Sequence, residues 1–343
     1  MIEAGRELVD AARALGASPM ATTLRAWIVP HLFYAQERLF ALPDDPTQPL
    51  ADVMAECAAS LRAMRDRVSA SETWPRTAAT ATTPDNVEAI TGAHYGNLFA
   101  GFAKEHYWDE ATNLLRTRLE RNGLPTDFAG KSVIDAGCGG GRYTVAWKQL
   151  GAARALGVDV SPINIATAKA RAVEAAIDGV EYREENVLAL GAPANAFDIV
   201  FSNGVLHHTR DWPAGISELV RVLAPGGLGW LYLIERPGGL FWDMIEVLRE
   251  VMRGDSHELA RRALEQLALP RHRIFYMLDH VMVPINERLT PAEIEAALEA
   301  AGARGIRRLS RGADFDRVEQ IHRGAPHAAT KFGVGENRYT FSK

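Results

Sequence analysis

The chain has 343 residues, 47 % hydrophobic and 24 % charged, an ordinary globular balance with enough material for one large domain or two modest ones. Its formal net charge of −5 argues against a nucleic-acid backbone as partner. No apolar run reaches the ~18 residues that span a membrane, the first residues lack a signal-peptide pattern, and two cysteines, Cys57 and Cys138, fit a reducing, cytoplasmic compartment rather than a disulfide framework.

Residues 1–69 read as a helical extension. Leu8, Ala11, Ala12 and Leu15 recur at helical spacing, as do Leu24, Trp27, Ile28, His31, Leu32, Ala35 and Leu39. Pro43-Asp44-Asp45-Pro46 breaks the pattern, and a third helix is expected over about 51–68. The extension is open to several uses: lid, homodimer contact, substrate cap, or plain cover for apolar surface. Residues 70–90, rich in Ser, Thr and Ala, read as a linker. The main domain, 91–343, opens with His94-Tyr95-Gly96-Asn97-Leu98-Phe99 and His106-Tyr107-Trp108-Asp109, then an amphipathic helix to about 119.

The most informative stretch follows. Val133-Ile134-Asp135-Ala136-Gly137-Cys138-Gly139-Gly140-Gly141-Arg142 is a buried strand, a glycine-rich turn and the start of a helix. Glycine lets a ligand approach bare backbone at such a turn. A dinucleotide fingerprint would need a third glycine where Arg142 or Thr144 stands, so the pattern is D-x-G-x-G-x-G instead. A helix over 143–150 and a second strand over 155–160 come next, with Asp159 at the strand tip, 18 residues past Gly141. Ser161-Pro162 is an N-cap with proline in the first turn, and its helix is expected to run to about 177. Further strands are expected over 180–186, ending at Asn186, and over 197–203, ending at Asn203 before Gly204-Val205-Leu206-His207-His208-Thr209. A helix to about 223 stops at Pro225-Gly226-Gly227, and an apolar fifth strand covers 228–234.

This order of matches, over about 130–235, resembles the class I S-adenosylmethionine-dependent methyltransferases, in the small-molecule branch that includes quinone-biosynthesis enzymes. The resemblance implies an α/β, Rossmann-like, doubly wound seven-stranded sheet with its last strand antiparallel. It implies S-adenosyl-L-methionine as cofactor and a small-molecule acceptor as partner. Asp135, Gly137, Gly139 and Gly141 would then bind the methionine and ribose parts. Asp159 would take the ribose hydroxyls, with Val160 beside it. Asn186, where aspartate is commoner, and the backbone N–H of Val187 would meet adenine, and Asn203 the methionine amino group. Tyr95 and Tyr107 would either face the sulfonium by cation–π contact or pack a helix on the sheet.

After the fifth strand the chain departs from a minimal member. An insertion occupies 236–289, ahead of the capping box Thr290-Pro291-Ala292-Glu293. Within it Phe241, Ile245, Leu248 and Met252 share a helical face. A second insertion, 311–335, separates the last two strands, expected over 304–310 and 336–342, and holds Asp314, Asp316, Arg317, His322 and His327. With the N-terminal helices, these insertions are expected to build the acceptor pocket, because ligands bind beyond the carboxyl ends of such strands.

Methyl transfer from a sulfonium is an in-line displacement, so the protein mainly positions the acceptor, and a base is needed only if the acceptor must lose a proton. His207 and His208 are the first base candidates, with loop anchoring as the other reading of the pair. Glu235 is a second candidate, and Asp279 with His280 a third. No metal-ligand spacing is present. Two further functions share the same motifs: attack on a non-methyl carbon of the cofactor, releasing methylthioadenosine, and a non-catalytic subunit that keeps the cofactor fold.

Overall fold

The computed structural model describes residues 1–69 and 107–343. The expected linker over 70–90, Tyr95 and the rest of the aromatic segment before Tyr107 lie outside the described residues. In chain order come helices α1 (Ile2–Arg13), α2 (Pro19–Ala41), α3 (Thr47–Ser69) and α4 (Tyr107–Arg121). Next are β1 (Ser132–Ala136), α5 (Arg142–Gln149), β2 (Arg154–Asp159), α6 (Pro162–Glu174), β3 (Val180–Glu184) and β4 (Phe197–Asn203). A 3-10 turn over Leu206–His208 precedes α7 (Trp212–Val222) and β5 (Leu223–Leu233). Helices α8 (Gly239–Val251), α9 (His257–Gln266), α10 (Arg271–Met282) and α11 (Pro291–Ala300) follow, then β6 (Arg304–Arg308), α12 (Arg317–His322), α13 (Ala328–Phe332) and β7 (Asn337–Ser342).

Two compact units share these elements. One draws on Met1–Asp85, Gly238–Val283 and Ala325–Gly333, and its described elements are all helical. Ser18 caps α2, its hydroxyl accepting from the Ala21 N–H at 3.1 Å, with Pro19 in the first turn. The Asp45 carboxylate accepts from the Thr47 N–H at 2.9 Å and opens α3 after the proline break. Leu8, Leu32, Phe33, Leu50 and Met54 from the N-terminal helices, and Trp242, Met244, Ile245 and Leu248 from α8, are completely buried. Gly5 lets α1 come close to α8, since a Cβ there would stand 2.8 Å from a Val247 methyl. Buried Arg25 forks onto Asp255 with two 2.6 Å bonds and donates to the Ala12 and Gly16 carbonyls. Lys331 on α13 donates to the Phe40 and Leu42 carbonyls at 3.0 Å, capping the end of α2.

This partition differs from the boundaries expected along the sequence, which placed 1–69 in one body and both insertions in another. Most of the first insertion and the later part of the second sort with the N-terminal helices. The physical reason is partnership: the apolar face of α8 and the Arg25–Asp255 fork connect segments more than 200 residues apart, which helical spacing cannot reveal.

The other unit draws on Asn86–Pro237, Pro284–Gly324 and Val334–Lys343. Its seven strands lie in the order β3-β2-β1-β4-β5-β7-β6. Strands β1 to β5 are parallel to one another, and β7 runs antiparallel to both β5 and β6. Alternation in β1 sends Val133 to one face, with Trp147, Phe201 and Trp230, and Ile134 to the other, with Leu219, Leu231 and Phe341. The capping box at Thr290 forms as expected, with Glu293 accepting from the Thr290 N–H at 2.7 Å. Pro225-Gly226-Gly227, expected as a stop between helix and strand, lies inside β5. It spans a register shift in which Phe197 pairs with Leu223 but Ile199 with Leu228. Helix α6 and strand β3 end earlier than expected, at Glu174 and Glu184.

Candidate cofactor site

The site begins where β1 ends. Gly137 has φ 87°, Gly139 φ 50° and Gly141 φ 82°, all in the left-handed region that side chains other than hydrogen resist. Space is tight as well: a Cβ on Gly137 would stand 2.3 Å from a Val205 methyl, and one on Gly141 2.5 Å from the Tyr182 hydroxyl. The Gly137 and Cys138 N–H groups both donate to the Val158 carbonyl, at 2.8 and 2.9 Å, which ties the loop to β2.

A cavity of about 220 Å³ opens over this loop. Gly137 and Gly139 line it, as do the strand-end residues Asp159, Val160, Asn186, Val187 and Asn203, and His208 after β4. Residues far apart in sequence thus meet at the carboxyl edge of the sheet, as the parallel order requires. Asp159 is 9 % exposed. Its Oδ2 accepts from the Gly139 N–H at 2.9 Å, and its Oδ1 from the Ser161 N–H at 2.9 Å and Asn164 Nδ2 at 3.1 Å. Burial pushes its carboxyl above the usual range, against those bonds. The Asn186 carboxamide oxygen accepts from the Leu188 N–H at 2.9 Å, holding a tight turn after β3. The Asn203 carboxamide oxygen accepts from the Trp230 indole at 3.2 Å.

Several sequence-selected residues stand elsewhere. Asp135 is buried beneath the loop and does not line the cavity; its Oδ2 accepts from the Thr144 hydroxyl at 2.7 Å. Burial, with Asp159 nearby, pushes its carboxyl up to about 7 despite the Thr144 bond. Gly141 caps α5 rather than lining the cavity. Tyr107 is 3 % exposed and donates its hydroxyl to the Gly140 carbonyl at 3.0 Å. Its ring already carries two guanidiniums, Arg171 at 4.1 Å and Arg142 at 5.3 Å, so it braces the loop instead of facing a sulfonium. Tyr95 is outside the described residues.

The histidine pair splits. His207 is 2 % exposed and does not line the cavity; its ring lies 4.1 Å from that of His208 and 6.1 Å from Tyr232, and its carbonyl accepts from the Glu287 N–H. His208 lines the cavity, and its Nδ1 is 2.7 Å from the Ile285 carbonyl. A carbonyl only accepts, so Nδ1 carries the proton and Nε2 is the lone-pair nitrogen of the neutral ring. Glu235 is fully buried, away from the cavity, and accepts from Arg317 Nε at 2.8 Å. That ion pair makes it a fixture of the sheet's end, not a base at the cavity. Asp279 and His280 belong to the helical unit, where His280 Nδ1 meets the Tyr276 carbonyl at 2.7 Å.

Arg142, Tyr143, Asn164 and Thr209 also line the cavity and were not selected from sequence. The Tyr143 hydroxyl accepts from Arg118 at 3.0 Å, and Arg118 is clamped on Asp316 by two 2.8 Å bonds, so the second insertion, none of whose residues lines the cavity, supports Tyr143 from behind. Asn164 carried a readable signal: it is the third residue of a helix opened by Ser161-Pro162, and helical side chains point back toward the N-terminus. Arg118 and Asp316 carried none, being 198 residues apart. Among the described residues no cluster of His, Cys, Asp or Glu could hold a metal ion, and no helix is long and apolar enough to cross a membrane.

Comparison with known proteins agrees with this geometry. Residues 134–231 match a methyltransferase domain family. The chain is 36 % identical over 104 residues to a ubiquinone biosynthesis O-methyltransferase of Methylobacterium sp. strain 4-46, covering 30 % of this chain and 41 % of that one. It is 33 % identical over 121 residues to the namesake from Cereibacter sphaeroides, covering 35 % and 48 %. The chain thus spans less than half the length of these relatives. A solved structure of an S-adenosylmethionine-dependent methyltransferase from Mesorhizobium loti superposes with a TM-score of 0.42 at 18 % identity, over 71 % of this chain and 100 % of that one. With its strand order, its D-x-G-x-G-x-G turn and the match over residues 134–231, this chain carries a methyltransferase domain similar to the class I S-adenosylmethionine-dependent enzymes.

Proposed function

We propose that the protein transfers the methyl group of S-adenosylmethionine to an oxygen of a small, hydroxylated metabolite. The residues present fit the cofactor. The loop is bare backbone at Gly137 and Gly139, and Asp159 has acceptor capacity left at the tip of β2. Asn186 and buried Val187 offer an amide and an apolar surface at the end of β3. When bound, S-adenosylmethionine supplies an electrophilic methyl on a sulfonium. The chain's own work is to bind, orient and deprotonate.

The observation that carries the oxygen reading is His208. Its Nδ1 is held on the Ile285 carbonyl, so the ring's basic nitrogen is Nε2, on a side chain that lines the cavity. Nitrogen and activated carbon acceptors can react without losing a proton first, whereas a hydroxyl needs a base. The relatives are named ubiquinone biosynthesis O-methyltransferases, so hydroxylated aromatic rings are the first acceptors to try.

Replacing His208 by glutamine tests this. The expected result is a fall in kcat of ~10²–10⁴, the usual worth of a positioned base, with affinity for S-adenosylhomocysteine unchanged and activity recovering at high pH as the acceptor ionises unaided. Unchanged kcat would remove both the base and the oxygen assignment.

A further inference from the structure

Residues 285–289, just ahead of α11, run past the ends of three strands. Every second residue bonds there, the alternation of an extended segment. The Ile285 carbonyl accepts from His208 Nδ1 at 2.7 Å. The Glu287 N–H donates to the His207 carbonyl at 2.9 Å, so the histidine pair after β4 is gripped twice. Leu289 anchors the other end. Its N–H donates to the Ile234 carbonyl at 2.9 Å, and its carbonyl accepts from the Arg236 N–H and Asn337 Nδ2, both at 2.8 Å. Leu289 and Asn337 are buried. The segment is therefore fixed to the end of β5 and the start of β7, and its free end meets the histidines.

The hydrogen bond made by one ring nitrogen decides where a neutral imidazole keeps its proton. Without such a bond, histidine in water prefers the Nε2–H form, which would leave no lone pair at Nε2. A backbone carbonyl selects Nδ1–H and, being uncharged, does so without the ion pair that would hold the ring protonated. We propose that residues 285–289 are a clasp that sets the tautomer and direction of His208, with the Glu287 N–H as the bond that keeps the Ile285 carbonyl in place. This rests on the reading of His208 as the base. It adds positioning residues outside the cavity, since none of the five lines it and they act through the ring.

Glu287→Pro in the full chain removes that N–H. Nitrogen-15 NMR of the histidine rings, with no cofactor or acceptor present, should find His208 as Nδ1–H in the wild type and as Nε2–H in the proline variant. With a catechol as acceptor, kcat should fall about 10²-fold, the cost of misplacing a reacting group by about an ångström, while affinity for S-adenosylhomocysteine stays unchanged. In the His208→Gln background the proline should add no further loss. An Nε2–H ring in the wild type, or an Nδ1–H ring that survives in the proline variant, overturns the clasp whatever the kinetics. A further fall of the same size in the His208→Gln background overturns it too, because the proline then acts elsewhere. The wild-type spectrum keeps the test decisive if the proline variant does not fold. Wild-type kcat in His208→Gln overturns the base reading alone.

Discussion

At the scale of single residues, the glycine turn and the acids around it carry the sharpest consequences. Gly137 combines φ 87° with a Cβ position 2.3 Å from Val205. Gly137→Ala is therefore expected to cost about 2–4 kcal/mol, from a left-handed backbone plus local overpacking. Chemical denaturation of the single variant and of Gly137→Ala with Val205→Ala checks this; the double variant should regain the overpacking part only. Asp135 sets a pH dependence. Its carboxyl titrates near 3.8 when unfolded and at about 7 in the folded chain, because burial penalises the charge. Between those values the folded state holds a proton that the unfolded state has shed, so stability falls as pH rises through that window. Below it both states are protonated and the penalty vanishes. Asp135→Asn should match the wild type near pH 3 and be more stable near pH 8, a comparison of denaturation midpoints at the two pH values. That the glycine turn, the strand-end residues and His208 line one cavity was legible because each lies beside its motif in sequence. The roles of Asp135, Tyr107 and Glu235 were not, because Thr144, the Arg171–Arg142 pair and Arg317 engage them, and those partners follow from packing rather than pattern.

At the scale of elements, strand cores were readable and their ends less so. β4 lies where its apolar run places it, and the capping signals at Ser161 and Thr290 mark true helix starts. Pro225-Gly226-Gly227 marked the end of α7, which stops at Val222, but not the start of β5, which already holds the turn residues at a register shift. The Arg25–Asp255 fork is the clearest tie between an insertion and the N-terminal helices. Both side chains are under a tenth exposed. Asp255→Ala leaves a buried guanidinium unpaired and should cost about 3–5 kcal/mol, read from the denaturation midpoint of the full chain. A combined Arg25→Met and Asp255→Ala variant should recover much of that loss. Equal destabilisation of single and double variants would mean that the fork holds nothing together.

At the scale of the whole molecule, the sheet order followed from the alternation of strands and helices, whereas the composition of the helical unit did not. Its segments come from three places in the chain, and amphipathic spacing says that a helix needs a partner without saying which one. Removing residues 1–69 should therefore strip cover from Trp242, Met244 and Ile245 and leave insoluble protein. A soluble truncated chain that binds S-adenosylhomocysteine would show that the insertion helices need no N-terminal partner. The central claim is methyl transfer from a cofactor held at the edge of the sheet. Its most direct test is mass spectrometry of S-adenosylmethionine incubated with the pure protein, with and without a hydroxylated aromatic acceptor. S-adenosylhomocysteine formed only with the acceptor, together with an acceptor heavier by one methylene unit, is the expected result; methylthioadenosine formed without acceptor would contradict it.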